Sequence, residues 1–470
     1  MKNLLKSTIA ILSVLVAFTS CNNQSSNGKS GALSSNVAEK VYVAPGEHDE
    51  FYAFISGGFN GQLGVYGLPS GRLFKVIPVF SQDAEKAYGY NEETKPLLET
   101  SFGFVPWDDL HHPDISQTNG ELDGRWVFVN GNNTPRIARV DLSTFETAEI
   151  IEIPNSAGNH SSSYITENTE YVVAGTRFAV PVPQEDIAIK EYKGKFKGTI
   201  SFIKVDPEDG RMDIKFQLLM PGFDYDKAHP GRGDSHGWFF FTTYNTEEAN
   251  TLLEVNASQN DKDFIAAINW KKIEEYVNNG GGKTMAANYA HNVYEESTHS
   301  ATSTMKKEVL MVDPTEVPGA VYFLPTPKSP HGCDVDPTGE YIVGSGKLSA
   351  DVTVHSFSKM IDAIENEKFV GDAYGIPILD FEAVNAGSVK SGGLGPLHTE
   401  FDADGNAYTS FFISSEIVKW KLGTWEVIDR KPSYYSIGHL MSPGGNSRKP
   451  FGKYVVGMNK ITKDRYLPTG

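Results

Sequence analysis

Cysteine is nearly absent: Cys21 and Cys333 are the only two in 470 residues. A four-cysteine zinc site or an iron–sulfur cluster is excluded by that count. If a lipid takes Cys21, no internal disulfide is possible, and the fold must be stable without one. Positive charge is in deficit as well, with 42 Lys and Arg against 59 Asp and Glu and a formal net charge of −17. Phosphate binding relies on clustered Lys and Arg, so nucleic acid is a poor partner for this chain. The acidic balance suits a soluble protein and hard cations.

Apolar length is short too. Behind Lys2 and Lys6, the stretch from Ile9 to Phe18 is too brief to span a bilayer comfortably. It ends in Ala17-Phe18-Thr19-Ser20-Cys21, and a polar Asn/Ser/Gly run follows to about Lys40. Residues 1–20 therefore read as a lipoprotein-type signal peptide, 21–45 as a flexible linker and 46–470 as one β-propeller domain. An ordinary signal cut near Ser20 is the alternative. No twin-arginine pair is present, so general secretion is the expected route. The expected location is the periplasm, with the membrane reached only through a lipid at Cys21.

What the chain does have is a glycine-rich, aromatic sequence, with 45 Gly and 11% Phe, Trp and Tyr. Runs such as WVFVNGNNTPRIARVDL, EYVVAGTRFAV, GTISFIKVDPEDGRM and NAYTSFFISSEIVKWKL alternate with Gly, Asp, Asn and Pro clusters. A turn, strand and hairpin recurring at irregular spacing is the pattern of a β-propeller. A β-sandwich pair offers similar strands but would not bring so many strand starts together. Two helical stretches interrupt the pattern, Asp261 to Asn279 and, more weakly, Ser358 to Glu367.

Histidine is scarce, with 12 residues, yet six lie in short turn-rich motifs. These are His111 and His112 (DLHHPD), His160 (AGNHSSS), His331 (SPHGCDVDPTGEY), His398 (GPLHTEFDADGNAY) and His439 (YSIGHLMS). In a propeller, a histidine that opens a blade's innermost strand points at its counterparts in the other blades. Neutral imidazoles gathered in this way, mostly without cysteine, suit a transition metal. Cys333 is read as a buried thiol rather than a ligand. His48, His229, His236, His291, His299 and His355 lack the pattern and are read as structural or solvated. Each motif alone is weak, since a lone histidine beside a turn is usually a cap or a surface group. A non-catalytic periplasmic propeller that binds copper or protein stays open as an alternative. So does a mononuclear metal hydrolase using Asp114, Asp334 or Asp402.

Taken in order, DLHHPD, IPNSAGNH, SPHGCDVD, GLGPLHTEFDADGNAYTS, GH and MNKITKDRYLP resemble the N-terminal propeller of the nitrous-oxide reductases, from about residue 50 to the end. The lipoprotein-like leader resembles the Sec-exported branch of that family. The resemblance implies an all-β, seven-bladed propeller holding a four-copper, sulfide-bridged cluster, with His111, His112, His160, His331, His398 and His439 as six of its seven ligands. It implies reduction of nitrous oxide to dinitrogen and water, the terminal step of denitrification, with Lys460 as a catalytic group at the cluster edge. A calcium site is implied at Tyr244, Glu247, Val255 (through its carbonyl), Asp261, Ser329 and Lys460. Ser329 stands where the family has an asparagine. The seventh histidine, in a Glu-Pro-His motif, and the C-terminal cupredoxin domain with its CuA centre are expected beyond Gly470. An electron donor such as a c-type cytochrome and a head-to-tail homodimer of the full-length protein complete the expectation. A 470-residue chain without those parts would be an incomplete form of the enzyme.

Overall fold

The turn-bounded apolar runs pair as antiparallel hairpins in a computed structural model that describes residues 37–101, 103–160, 163–244, 263–289, 306–434 and 436–459. The proposed signal peptide lies outside the described residues. Of the proposed linker, Val37–Lys40 forms one helical turn. That stretch belongs to a first unit, Met1–His48, and everything from Asp49 onward to a second. No helix among the described residues is long and apolar enough to cross a membrane.

Within the second unit, five sheets have four strands or more. Blade one is Leu110–Thr118, Glu121–Gly131, Arg136–Asp141 and Glu146–Glu152. Blade two opens on the two-residue strand Tyr164–Ile165 and continues through Tyr171–Gly175, Phe196–Val205 and Met212–Pro221. Blade three is Asp224–Pro230, Trp238–Tyr244, Phe264–Asn269 and Val321–Pro325. Blade four is Pro330–Val335, Tyr341–Gly346, Asp351–Ser356 and Asn385–Lys390, and blade five is Pro396–Phe401, Asn406–Phe411, Glu416–Lys421 and Val427–Pro432. Among the described residues the propeller thus has five blades, and the expectation of seven is corrected. The segments on either side pair too few strands for a blade: three in Phe51–Pro78, and two where Ile437–Met441 meets Val456–Asn459.

The innermost strands touch in chain order. Leu110–Thr118 meets Tyr164–Ile165, which meets Asp224–Pro230, and the sequence runs on through Pro330–Val335 and Pro396–Phe401 to Ile437–Met441. Apolar side chains fill the spaces between sheets. Val172 and Ile203 of blade two pack on Phe128 and Ile137 of blade one, and Val343 and Val352 of blade four on Phe401 and Trp420 of blade five. Between blades two and three the rings of Phe202 and Phe216 stack at 4.8 Å. Each large side chain so buried stabilises by roughly 1.5–3 kcal/mol, and dozens are buried. That offsets a costly axis, because Asp224–Pro230 and Pro330–Val335 are buried along their whole length while carrying aspartate, lysine and histidine.

The helical period in Asp261–Asn279 is realised only in Trp270–Asn278, which is capped by Asn269 accepting from Lys272 N at 3.0 Å. Phe264–Asn269 is instead a strand, because Trp238–Tyr244 and Val321–Pro325 pair with it on both sides. The second expected helix is Phe357–Glu365.

Candidate metal centre

Each innermost strand that carries a site residue is bulged at that residue. Between His111 and Asp114, Tyr225 and Ala228, Pro330 and Gly332, Pro396 and Thr399, and Ile437 and Leu440 the register slips by one. A bulge leaves one residue outside the ladder and re-aims its side chain. The residues so released include His112, Asp226, His331, His398 and His439. Hydroxyls of neighbouring strands bond backbone groups the ladder gives up: Ser163 Oγ donates to the His112 carbonyl, Thr242 Oγ1 to that of His331 at 3.0 Å, and Ser410 Oγ accepts from His398 N at 3.2 Å. Blade two's opening strand is too short for this, and His160 comes from the loop before it.

The six motif histidines form one group. His111 is 4.8 Å from His160 between ring centroids, His160 is 5.4 Å from His331, His331 is 4.9 Å from His398, His398 is 4.6 Å from His439, and His439 is 5.0 Å from His111. The circuit closes, and His112 lies against four of its five members, at 4.6 Å from His111 and 4.8 Å from His439. A single ligand atom from each of His111, His112 and His439 falls within 4.8 Å of the other two.

Asp226 sets the protons on one side. Its Oδ1 accepts from His160 Nδ1 at 2.6 Å, and its Oδ2 accepts from His331 Nδ1. Burial pushes this carboxyl up, but His331, Lys347 (3.6 Å away) and His160 outweigh it and hold the group well below the usual carboxylate range. With their protons fixed at Nδ1, both imidazoles present lone pairs at Nε2. Those lone pairs point at other imidazoles: His160 Nε2 is 3.2 Å from His111 Nε2, and His331 Nε2 is 3.2 Å from His398 Nε2. Nitrogens so close need a proton or a metal ion between them.

His112 is the clearest case. Burial, then the neighbouring imidazoles, keep it far below its ordinary pKa and therefore neutral. Its Nδ1 is 3.0 Å from the Tyr164 hydroxyl, and among the described residues its buried Nε2 has no hydrogen-bond partner. A buried polar atom left unpaired costs about 1–3 kcal/mol, and a metal ion would satisfy it. An all-imidazole donor set fits copper.

Cys333 stays out of the centre. The bulge at residue 331 reverses the strand's alternation, and the wholly buried thiol packs with Val335, Ile342 and Met360. The aspartates of the hydrolase alternative are otherwise engaged. Asp334 pairs with Lys227 and accepts from Thr399 N at 2.8 Å, Asp114 accepts from Ile165 N at 3.1 Å, and Asp402 caps a turn through Asn406 N at 2.9 Å. Among the other histidines, His229 and His355 are buried and His236 is half-buried beside Glu167 and Glu170, while His291 and His299 lie outside the described residues.

Of the proposed calcium ligands, Glu247, Val255 and Asp261 lie outside the described residues, as does Lys460. Tyr244 closes a strand of blade three. Ser329 sits at φ 55°, and its carbonyl accepts from Lys347 N at 2.8 Å. Sequence reading missed Asp226, Tyr164 and Lys227. The signal for two of them was the polar run Asp224-Tyr-Asp-Lys-Ala-His-Pro before the aromatic strand Trp238–Tyr244, the place where other blades carry histidine.

Comparison with known proteins settles the relationship. The chain is 31% identical to a nitrous-oxide reductase of Stutzerimonas stutzeri, across 92% of its own length and 64% of that protein's. A nitrous-oxide reductase of Pseudomonas fluorescens is 30% identical over 93% of this chain and 65% of its own. The chain is a homologue of the nitrous-oxide reductases. A family model described as the nitrous oxide reductase propeller repeat matches residues 430–470, which include the strand bearing His439. The reductase of Ralstonia nicotianae is 29% identical over 98% of this chain and 70% of its own length. The chain therefore spans about two-thirds of the curated relatives it matches. Among solved structures, Kuenenia stuttgartiensis hydrazine synthase has a TM-score of 0.46 at 12% identity, covering 82% of this chain and 80% of that one, a likeness too slight to bear on function.

Proposed function

We propose that this chain is the propeller portion of an enzyme that reduces nitrous oxide, taking up two electrons and two protons and releasing dinitrogen and water. The observation that carries this reading is the closed circuit of His111, His160, His331, His398 and His439 with His112 against it. These six would be ligands of a four-copper, sulfide-bridged cluster. When bound, such a cluster supplies the electrons and the reduced metal surface that the unreactive substrate requires. The chain's own part is to orient the donors. Asp226 keeps two imidazoles in the ligating tautomer, Tyr164 does the same for His112 when it accepts from Nδ1, and burial keeps the donors neutral.

Lys460 would supply positive charge at the cluster edge. Calcium would bind Tyr244, Glu247, Val255, Asp261 and Ser329, whose oxygens suit a hard cation. The signal-like residues 1–20 and Cys21 support export and a lipid anchor. Exposed Phe59, Trp107, Leu348, Leu394 and Tyr434 occupy loops at the histidine-bearing ends of the sheets. An apolar rim of this kind suits a docking electron donor or the cupredoxin domain of a second copy.

The test is copper and acid-labile sulfide analysis of chain matured with its assembly factors. Several coppers with sulfide per chain are expected, and His398→Ala should abolish the visible absorption. One metal per chain, or no sulfide, would sink the proposal.

A further inference from the structure

A cavity of ≈ 100 Å³ lies against His112, His398 and His439, with Tyr164, Lys227 and Glu400 also in its wall. A second, of ≈ 230 Å³, lies between the strand Phe51–Ser56, blade one and the 441–451 segment. The two share Phe54, Pro113, Glu400, Met441 and Asn446 as walls. Chain direction places the larger cavity at the opposite end from the apolar rim. Phe51–Ser56, Leu110–Thr118 and Ile437–Met441 each have one end among the rim loops, near Phe59, Trp107 and Tyr434, and the other at Phe51, Ile115 and Met441 in the cavity wall.

The geometry points to a passage for a small uncharged gas through these two cavities to the histidine circuit, entering at the end of the sheets opposite the rim. It rests on the functional reading above for the identity of the gas, nitrous oxide inward and dinitrogen outward. The outer cavity is walled mainly by Phe51, Phe54, Ile115, Leu122, Met441 and Phe451. Apolar walls favour such molecules over hydrated ions. Capacity is sufficient, since an apolar cavity of roughly 150 Å³ takes up xenon. A separate gas route leaves the rim to an electron-donating partner, so docking there need not block substrate.

Xenon is the probe, applied under pressure to crystals of the whole chain without copper. A xenon peak is expected between Phe54, Ile115, Met441 and Phe451, and it should vanish in Ile115→Trp and in Leu122→Trp, either of which fills the outer cavity. In copper-loaded full-length protein assayed with a reduced viologen, the same variants should raise KM for nitrous oxide about tenfold with kcat little changed. No xenon between those residues would overturn the passage, as would an unchanged KM in both variants. Absence of turnover in loaded wild-type full-length protein would instead defeat the functional reading, and the xenon result would then decide the passage alone.

Discussion

Asp226 gives one carboxylate two imidazole partners, His160 and His331, which lie in different blades. Asn has nearly the same shape but only one acceptor oxygen, and its amide donates on the other side. In Asp226→Asn one imidazole would have to carry its proton at Nε2, where the metal should bind. Copper affinity should then fall by about 10–100-fold with the far-ultraviolet circular dichroism unchanged. Competition against a calibrated chelator measures this, and wild-type affinity in the variant would mean that the carboxylate does not set the tautomers. Lys227 works one step further back. It pairs with Asp334, donates to the Cys333 carbonyl at 3.0 Å and lies 5.1 Å over the ring of Tyr164, the partner of His112. Lysine is almost never so buried without a partner, and here the pairing holds it charged.

Among the elements, the repeated bulge explains both what the sequence announces and what it conceals. The motifs DLHHPD, SPHG and GPLH are visible because glycine and proline recur where the ladder slips. The bulge itself is not visible, because register depends on the partner strand. Alternation alone would put Cys333 on the same face as His331, and it is the slip at 331 that separates them. Asp226 was hidden for another reason: an aspartate takes the place of the repeating histidine, so a search by residue type passes over it. The helical period at Phe264–Asn269 misled because two strands pair with that segment. Strand-rich composition announced a propeller but not its blade count, since whether a terminal segment completes four strands is decided by pairing. Gly332 shows how tight the slip is. A Cβ there would collide with the Leu397 carbonyl oxygen of the next blade. Gly332→Ala should destabilise the fold by about 1–3 kcal/mol and spread His331 from His398. A lower thermal midpoint and reduced copper content would register it, whereas an unaltered midpoint would show that the two strands can part without cost.

Across the whole molecule, site and fold are one equilibrium. The six imidazoles come from five of the sheets, with blade three contributing Asp226 instead, and the unfolded chain has no equivalent arrangement. A ligand that binds only the folded state stabilises it by RT ln(1 + [L]/Kd), about 4 kcal/mol at a thousandfold excess over Kd. Copper-loaded chain should therefore melt several degrees above chain stripped by chelation, and His398→Ala should lose most of that gain. Equal midpoints with and without copper would mean that the imidazoles do not act as one site.

The circuit of imidazoles also has a history in time. His111 and His439 are 328 residues apart (439 − 111), so the first donors are synthesised long before the last. A growing chain offers copper only stray imidazoles, which bind weakly and without selectivity. If the circuit holds copper and sulfide as proposed, the metal would have to reach a propeller that has already folded, and maturation would fall to whatever hands over the ions rather than to the ribosome.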